Sequence, residues 1–148
     1  MRSKSPLALM EQLVMVLVFA LAAALCLQVF AFSDRMSERN AAIDRAVLEC
    51  QNAAEILKAT GLPMDEAQET LEVQMGGRCE EDLWYVWYDE NWQPVWDHAQ
   101  AAYVIFAQEV PTRVEGLVKA QVWADRWVTE GYSEALFSID VAWQEVGA

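Results

Sequence analysis

The stretch Leu7–Phe32, LALMEQLVMVLVFALAAALCLQVFAF, sets the organisation of this chain. It has no polar side chain between Leu13 and Leu27, and Glu11 is its one charged residue. At roughly 1.5 Å per residue, a helix over this stretch is about 39 Å long, whereas the hydrocarbon core of a bilayer is about 30 Å thick. We therefore predict a single membrane-spanning helix over residues 7–32.

Glu11 lies near the start of this helix, where a carboxylate is costly unless a cation pairs with it. No Lys or Arg occurs between Lys4 and Arg35, and the residues three or four positions from Glu11 carry no charge. The sequence therefore predicts that the cation comes from outside this helix.

The first residues of the chain resemble the N-terminus of a type IV pilin or pseudopilin. A basic leader over residues 1–6 precedes Leu9-Met10-Glu11 and then the apolar helix. Cleavage between Pro6 and Leu7 would make Glu11 the fifth residue of the mature chain, with Pro6 where members of that family usually carry Gly. Cleavage after Ser5 would put a small residue at that position and make Glu11 the sixth residue. The resemblance covers about the first 30 residues.

The resemblance implies a structural subunit of a type IV pilus, a type II secretion system or a DNA-uptake assembly. In that family the acid meets the freed terminal amine of a neighbouring subunit, which makes Glu11 the implied assembly residue. The implied partners are the membrane, other pilin-like subunits reached through the helix, and a prepilin peptidase. Ala20 and Ala24, four residues apart, would let such helices approach closely.

Two other interpretations of the helix stay open. One is a plain signal anchor, in which Glu11 and Gln12 lie in the headgroup region. The other is a cleaved signal peptide, with Ala31-Phe32-Ser33 as a small-residue cleavage site. The alternative function is a single-pass, membrane-anchored extracytoplasmic domain that binds a protein or cell-wall partner without polymerising.

Charge predicts the side of the membrane on which the remaining chain lies. Arg2 and Lys4 precede the helix with no acid beside them, so the positive-inside rule places the N-terminus in the cytoplasm and the C-terminal domain outside. Without these two residues and Glu11, the totals of 10 basic and 23 acidic residues become 8 and 22, a net charge of −14. Such a domain repels phosphate, which predicts no direct binding of nucleic acid.

The helical pattern continues beyond the membrane segment as an amphipathic helix over residues 33–60. Neither Gly nor Pro interrupts the chain from Leu7 to Lys58. Apolar residues recur at spacings of three and four, at Ile43, Val47, Cys50, Ala54 and Leu57. Gly61 and Pro63 end the helix, and residues 61–82 are predicted to form a connector that contains a short helix.

Residues 83–148 change to a β-strand pattern. Segments rich in aromatic and β-branched residues are separated by polar turns, and Leu117–Trp127 alternates between apolar and polar positions. An antiparallel sheet with one apolar face needs a cover, and the helix over residues 33–60 is the long helix available for it. The predicted fold is α+β, a long N-terminal helix packed on a C-terminal antiparallel sheet of four or five strands. The pilin-like family has this architecture.

The cysteines leave two arrangements open. Cys26 lies within the apolar run, so Cys50 and Cys79 are the only thiols beyond it. An exported domain permits a disulfide between them, which would stabilise it by roughly 3 to 4 kcal/mol, and the other arrangement is two unpaired thiols.

The remaining side chains that could act in catalysis or bind a metal form no recognisable site. The sequence therefore predicts no enzyme, no metal site and no cofactor. His98 is the only histidine, and no Ser or Cys is recognisably placed to act with it, so we interpret it as a surface residue. Calcium could use the oxygens of Asp89, Glu90, Asn91 and Asp97, but their spacing matches no ion-binding loop and favours a solvated turn.

The seven Trp residues all lie from Trp84 onward, and most are predicted to fill the core of the sheet. Trp123 and Trp127 share a strand face with Lys119 and Asp125, so they are the expected exposed pair. Exposed indoles favour a protein partner or a sugar as ligand.

Overall fold

The computed structural model describes residues 5–129 and 132–146. In chain order the elements are α1 (Ser5–Thr60), α2 (Met64–Met75), β1 (Arg78–Glu80), β2 (Leu83–Tyr88), β3 (Pro94–Val95), a single 3₁₀ turn (His98–Gln100), β4 (Tyr103–Glu109), β5 (Leu117–Thr129) and β6 (Tyr132–Gln144). The chain divides into two compact units, residues up to Ala41 and residues from Ala42, and α1 contributes to both.

In the first unit, α1 exposes its side chains on all sides. Every side chain from Ala8 to Ala41 is exposed, including large apolar ones such as Leu13 and Phe19. A helix that is apolar all round is stable in a hydrocarbon environment. Within the described part of the chain, α1 is the one helix that is long and apolar enough to cross a membrane.

In the second unit, the rest of α1 buries one stripe of mostly small residues in the core. The buried residues of this stripe are Ala46, Cys50, Ala53, Ala54 and Leu57. Ile43 and Val47, which the sequence pattern assigns to the stripe, are only half-buried. The packed stripe is therefore rotated toward Ala46 and Ala53, because alanines let a helix backbone approach a sheet more closely than branched residues do.

The sheet is antiparallel, with strand order β1-β2-β4-β5-β6. β3 pairs with Trp87 and Tyr88 of β2 on the edge that β1 also uses, since the other edge of β2 is occupied by β4. β5 and β6, each of 13 residues, form the longest pair. Their register shifts after Ala124 and after Trp127, and such irregularities increase the local twist.

Alternation along each strand gives the sheet an inner and an outer face. The inner face packs in one core with α1 and α2, as the alternation in the sequence predicts for β5 and β6. Its fully or almost fully buried side chains are Trp84, Val86, Tyr88, Ile105, Ala107, Val118, Ala120, Val122, Ala124, Val141 and Trp143.

Gln68 joins α2 to the sheet through a buried amide. Its Nε2 donates to the carbonyl oxygen of Asp82 at 2.9 Å and to that of Ala107 at 3.4 Å. Its Oε1 accepts from the Cys79 thiol at 3.2 Å. These bonds offset the cost of burying a polar side chain, which would otherwise be several kcal/mol.

The last strand is joined to the turn that follows α1. Trp143 Nε1 donates to the carbonyl oxygen of Leu62 at 2.8 Å, and the Val146 backbone N–H donates to that of Gly61 at 2.8 Å. Both bonds connect residues far apart in sequence, so they hold the end of β6 against the turn that follows α1.

The predicted α+β fold is confirmed, and its sheet has six strands instead of four or five. Arg78–Glu80, which the sequence assigns to the connector, pairs with β2, so the sheet begins at residue 78 instead of 83. Between Asp89 and Tyr103, only Pro94–Val95 joins the sheet. Arg2 and Lys4 of the predicted leader lie outside the described residues.

Candidate functional site

Glu11 lies on the exposed part of α1, one turn before Val14 and Met15, which are exposed and apolar. Among the side chains that the structure describes, none forms a hydrogen bond or an ion pair with the Glu11 carboxylate. The carboxylate is therefore accessible to a cation from another molecule.

Ala20 and Ala24 are both exposed on the same apolar segment. Residues four apart in a helix lie on the same face, about one turn from each other. Small side chains at both positions would let the backbone of a second helix lie close to α1.

Cys50 and Cys79 are not paired in the structure, where they are free thiols in different surroundings. Cys50 is buried on α1, and this burial raises its thiol pKa to about 12. Cys79 is exposed on β1, where partial desolvation, with smaller contributions from Asp82 and Glu72, raises its pKa. Its thiol bonds to Gln68 instead.

The carboxylates around the turn after β2 hold the local backbone in place. Asp89 accepts from the backbone N–H groups of Asn91 and Gln93, both at 2.8 Å. Asp97 accepts from the N–H of Ala99 at 2.9 Å. Both residues stabilise turns in this way. In residues 5–129 and 132–146, no group of three His, Cys, Asp or Glu side chains is arranged to hold a metal ion.

A broad cleft of about 970 Å³ lies beside α2, the last turns of α1 and the turn after β2. Its lining is about equally polar and apolar and includes the ion pair between Arg45 and Glu49, whose atoms are 2.8 Å apart. Trp92 forms part of the wall and stacks on Tyr103 with ring centroids 4.3 Å apart. The cleft therefore offers polar and aromatic contacts and little net charge.

Five aromatic side chains cover the face of the sheet opposite the core. We call this set the outer aromatic face, and it consists of Tyr85, Trp87, Phe106, Trp123 and Trp127. Each of the five is half-buried. Phe106 and Trp123 are paired across β4 and β5 and stack with ring centroids 5.0 Å apart.

Trp87 and Trp127 meet although their strands are not neighbours. β4 lies between β2 and β5, so about 10 Å separates the two backbones. The ring centroids are nevertheless 4.7 Å apart, in an edge-to-face arrangement. The rings therefore lean toward each other above β4 and cover Val104, the partner of Trp87, which is completely buried on this outer face.

At the β1 edge, a hollow of about 120 Å³ continues the outer aromatic face. Trp96, which is 74% exposed, forms one wall, and the guanidinium carbon of Arg78 lies 5.9 Å from its ring centroid. The Tyr85 hydroxyl, beside the hollow, donates to Glu80 at 2.8 Å, and desolvation together with this bond raises the pKa of Tyr85. His98 is an exposed residue at the rim, as the sequence predicts.

The sequence predicts part of the outer aromatic face. Trp123 and Trp127 lie there but are half-buried instead of exposed, and Trp96 is the exposed Trp. The prediction that most Trp residues fill the core is also wrong, because only Trp84 and Trp143 are buried. Trp87 and Phe106 were missed. The available signal was the run LWYVWY over residues 83–88, because a strand that is aromatic at successive positions carries aromatic rings on both faces.

No protein-family model, no curated protein and no solved structure matches this chain. Two features of its own residues remain as the basis for a functional argument. They are the exposed apolar part of α1 with Glu11, and the outer aromatic face.

Proposed function

We propose that this chain is a pilin-like subunit, anchored in the membrane by the first part of α1, that assembles with other subunits through that helix. The observation that carries the proposal is the exposed apolar surface from Ala8 to Phe32 with one carboxylate at its head. A bilayer covers apolar side chains, but its hydrocarbon core supplies no cation for Glu11. A second protein chain can supply both apolar contacts and a cation.

The terminal amine of a neighbouring subunit is the cation that best suits this position. Removal of residues 1–6 would free an amine at Leu7, four residues before Glu11. Four residues of helix span about 6 Å, or roughly one turn. A neighbour displaced along its axis by about one turn therefore brings its amine level with Glu11, and Ala20 and Ala24 would allow close packing below that contact.

The second unit supports the same proposal, because a helix packed on an antiparallel sheet is the architecture of pilin-like proteins. We place the N-terminus in the cytoplasm and this acidic unit outside, in accordance with the basic residues that precede the helix. The subunit acts by assembly and performs no catalysis.

The first test is the mature N-terminus of the full-length chain after co-expression with a prepilin peptidase. Mass spectrometry of the protein extracted from membranes should show loss of residues 1–6, with Leu7 as the first residue. An intact leader would favour the alternative, an anchored extracytoplasmic domain that binds its partner without polymerising.

The second test is Glu11→Gln, which removes the charge and keeps the size of the side chain. We expect normal amounts of this variant in membranes, because an amide costs less than a carboxylate there, but loss of the subunit–subunit species that in vivo cross-linking yields for the unaltered chain. Glu38→Gln is the matched control, since it removes an exposed carboxylate of the same helix beyond the apolar run. If Glu11→Gln cross-links as well as Glu38→Gln does, Glu11 has no role in assembly.

A further inference from the structure

The outer aromatic face differs from the rest of the second unit in its charge. This face carries two basic and three acidic side chains by strand alternation, whereas residues 42–148 together hold 6 basic and 20 acidic residues, a net charge of −14. The ligand of this face has to suit a nearly neutral surface. The charged residues are Arg78, Glu80, Lys119, Asp125 and Asp140.

Four of the five charged side chains have an ion-pair or hydrogen-bond partner on the face itself, Glu80 through the Tyr85 hydroxyl. Lys119 Nζ lies 2.8 Å from the Asp140 carboxylate, and the Ser133 hydroxyl donates to Asp125 at 2.8 Å. A strongly cationic or anionic ligand would have to disrupt these contacts. Charge complementarity therefore favours an uncharged ligand.

Strand register places a row of aromatic rings beside a row of amides. Phe106 is opposite Trp123, and two residues along the same strands Gln108 is opposite Gln121. Residues two apart on a strand lie on the same face, about 7 Å from each other. Both glutamines are exposed, so each offers an amide donor and an acceptor beside the rings.

This pairing of rings with amides fits a sugar chain. The faces of a β-linked pyranose present C–H groups, which carry a slight positive charge and pack on the negative face of an aromatic ring. Its equatorial hydroxyls point outward from the ring edge, where neutral amides can both donate to and accept from them. We propose that the outer aromatic face binds a neutral, β-linked polysaccharide, with its rings on Phe106, Trp123 and Trp127 and its hydroxyls on Gln108 and Gln121.

Other ligands fit this surface less well. A second copy docked face to face on this surface would bring two strongly acidic units into direct contact, which assembly through the helix does not require. Nucleic acid would bring phosphates to an acidic unit. An apolar protein surface would bury Gln108 and Gln121 without hydrogen-bond partners, which is costly.

The test uses the full-length chain in a sugar-free zwitterionic detergent, because glycoside detergents would compete for the face. Cellohexaose and N-acetylchitohexaose are the probes, and Trp fluorescence together with calorimetry gives the dissociation constant. We expect saturable binding of at least one hexasaccharide in the millimolar range or tighter. Raising the salt concentration should leave it unchanged, because both ligands are uncharged.

Two variants locate the binding. Trp123→Ala should weaken it at least tenfold, and the double variant Gln108→Ala/Gln121→Ala should weaken it about five- to tenfold. Gln51→Ala, which removes an exposed amide from α1, is the matched control and should bind as the unaltered chain does. Near-UV circular dichroism checks that each variant is folded, and the double amide variant, whose residues are exposed, keeps the test valid if Trp123→Ala does not fold.

The proposal is overturned if neither hexasaccharide binds at 10 mM, or if the double amide variant binds as tightly as Gln51→Ala. It is also overturned if the outer aromatic face instead mediates a concentration-dependent dimer that Trp123→Ala abolishes. Sugar binding and helix assembly are separate properties, so Glu11→Gln should bind the hexasaccharide normally, whichever way its assembly test turns out.

Discussion

Leu57→Ala tests whether α1 stabilises the sheet unit by packing on it. Leu57 is completely buried on the last turn of α1, whereas Leu48 on the same helix is 52% exposed. The two Leu→Ala changes have the same effect on helix propensity and remove the same atoms. Their difference therefore measures the packing alone.

The expected loss follows from the atoms that are removed. The substitution deletes three carbon atoms from a closed core, which costs about 2.4 kcal/mol at roughly 0.8 kcal/mol each. The cavity left behind raises the loss of unfolding free energy to about 3 to 4 kcal/mol, because neighbouring residues relax only in part. For a unit of this size, each kcal/mol lowers Tm by about 4 °C, so Tm should fall by about 12 to 16 °C.

Trp fluorescence during thermal and urea unfolding is the assay, because all seven Trp residues lie in the second unit. Leu48→Ala should change the unfolding free energy by less than about 0.5 kcal/mol. If Leu57→Ala is no more destabilising than Leu48→Ala, the contact between helix and sheet does not stabilise this unit.

Two further predictions concern protonation and backbone conformation. The pKa of the Cys50 thiol is about 12 in the folded state, whereas in the unfolded chain it has the ordinary value of 9.0. The folded state therefore keeps the thiol proton to higher pH than the unfolded chain does. Unfolding free energy should therefore fall between pH 9 and 12, by up to about 1.4 kcal/mol per pH unit, and denaturant titrations of Cys50→Ala should show a smaller slope. Gly77→Ala would place its Cβ 2.3 Å from the Tyr85 carbonyl oxygen at φ +91°, whereas Gly76→Ala, at φ +78°, meets no atom within 4 Å. Both changes strain the backbone, but the clash should make Gly77→Ala less stable than Gly76→Ala by about 1 to 3 kcal/mol, and equal Tm values would contradict this.

The long elements could be predicted from the sequence because their patterns are local. The alternation of Val118, Ala120, Val122 and Ala124 with polar residues identifies β5 and its buried face, and the structure confirms both. β1 could not be predicted in this way. Its three residues are all exposed and have no alternation, and they form a strand because β2 has a free edge beside them.

The two candidate sites also differ in whether the sequence alone predicts them. The apolar run around Glu11 is a property of composition, so the sequence alone identifies it. The outer aromatic face depends on register, because Phe106 and Trp123 become neighbours only when β4 and β5 pair. The sequence pattern correctly predicts the buried stripe of α1 at Cys50, Ala54 and Leu57. The rotation of this stripe toward Ala46 and Ala53 depends on how closely the helix approaches the sheet.

The hydrogen bond from Trp143 to Leu62 cannot form until almost the whole chain has been synthesised. The acceptor leaves the ribosome early, whereas its donor lies 81 positions later in the chain. Until β6 emerges, β5 has an unpaired edge and the core lacks Val141 and Trp143. A nascent chain that stops before β6 is therefore a substrate for chaperones and proteases, and a stop codon placed there should leave almost no accumulated product.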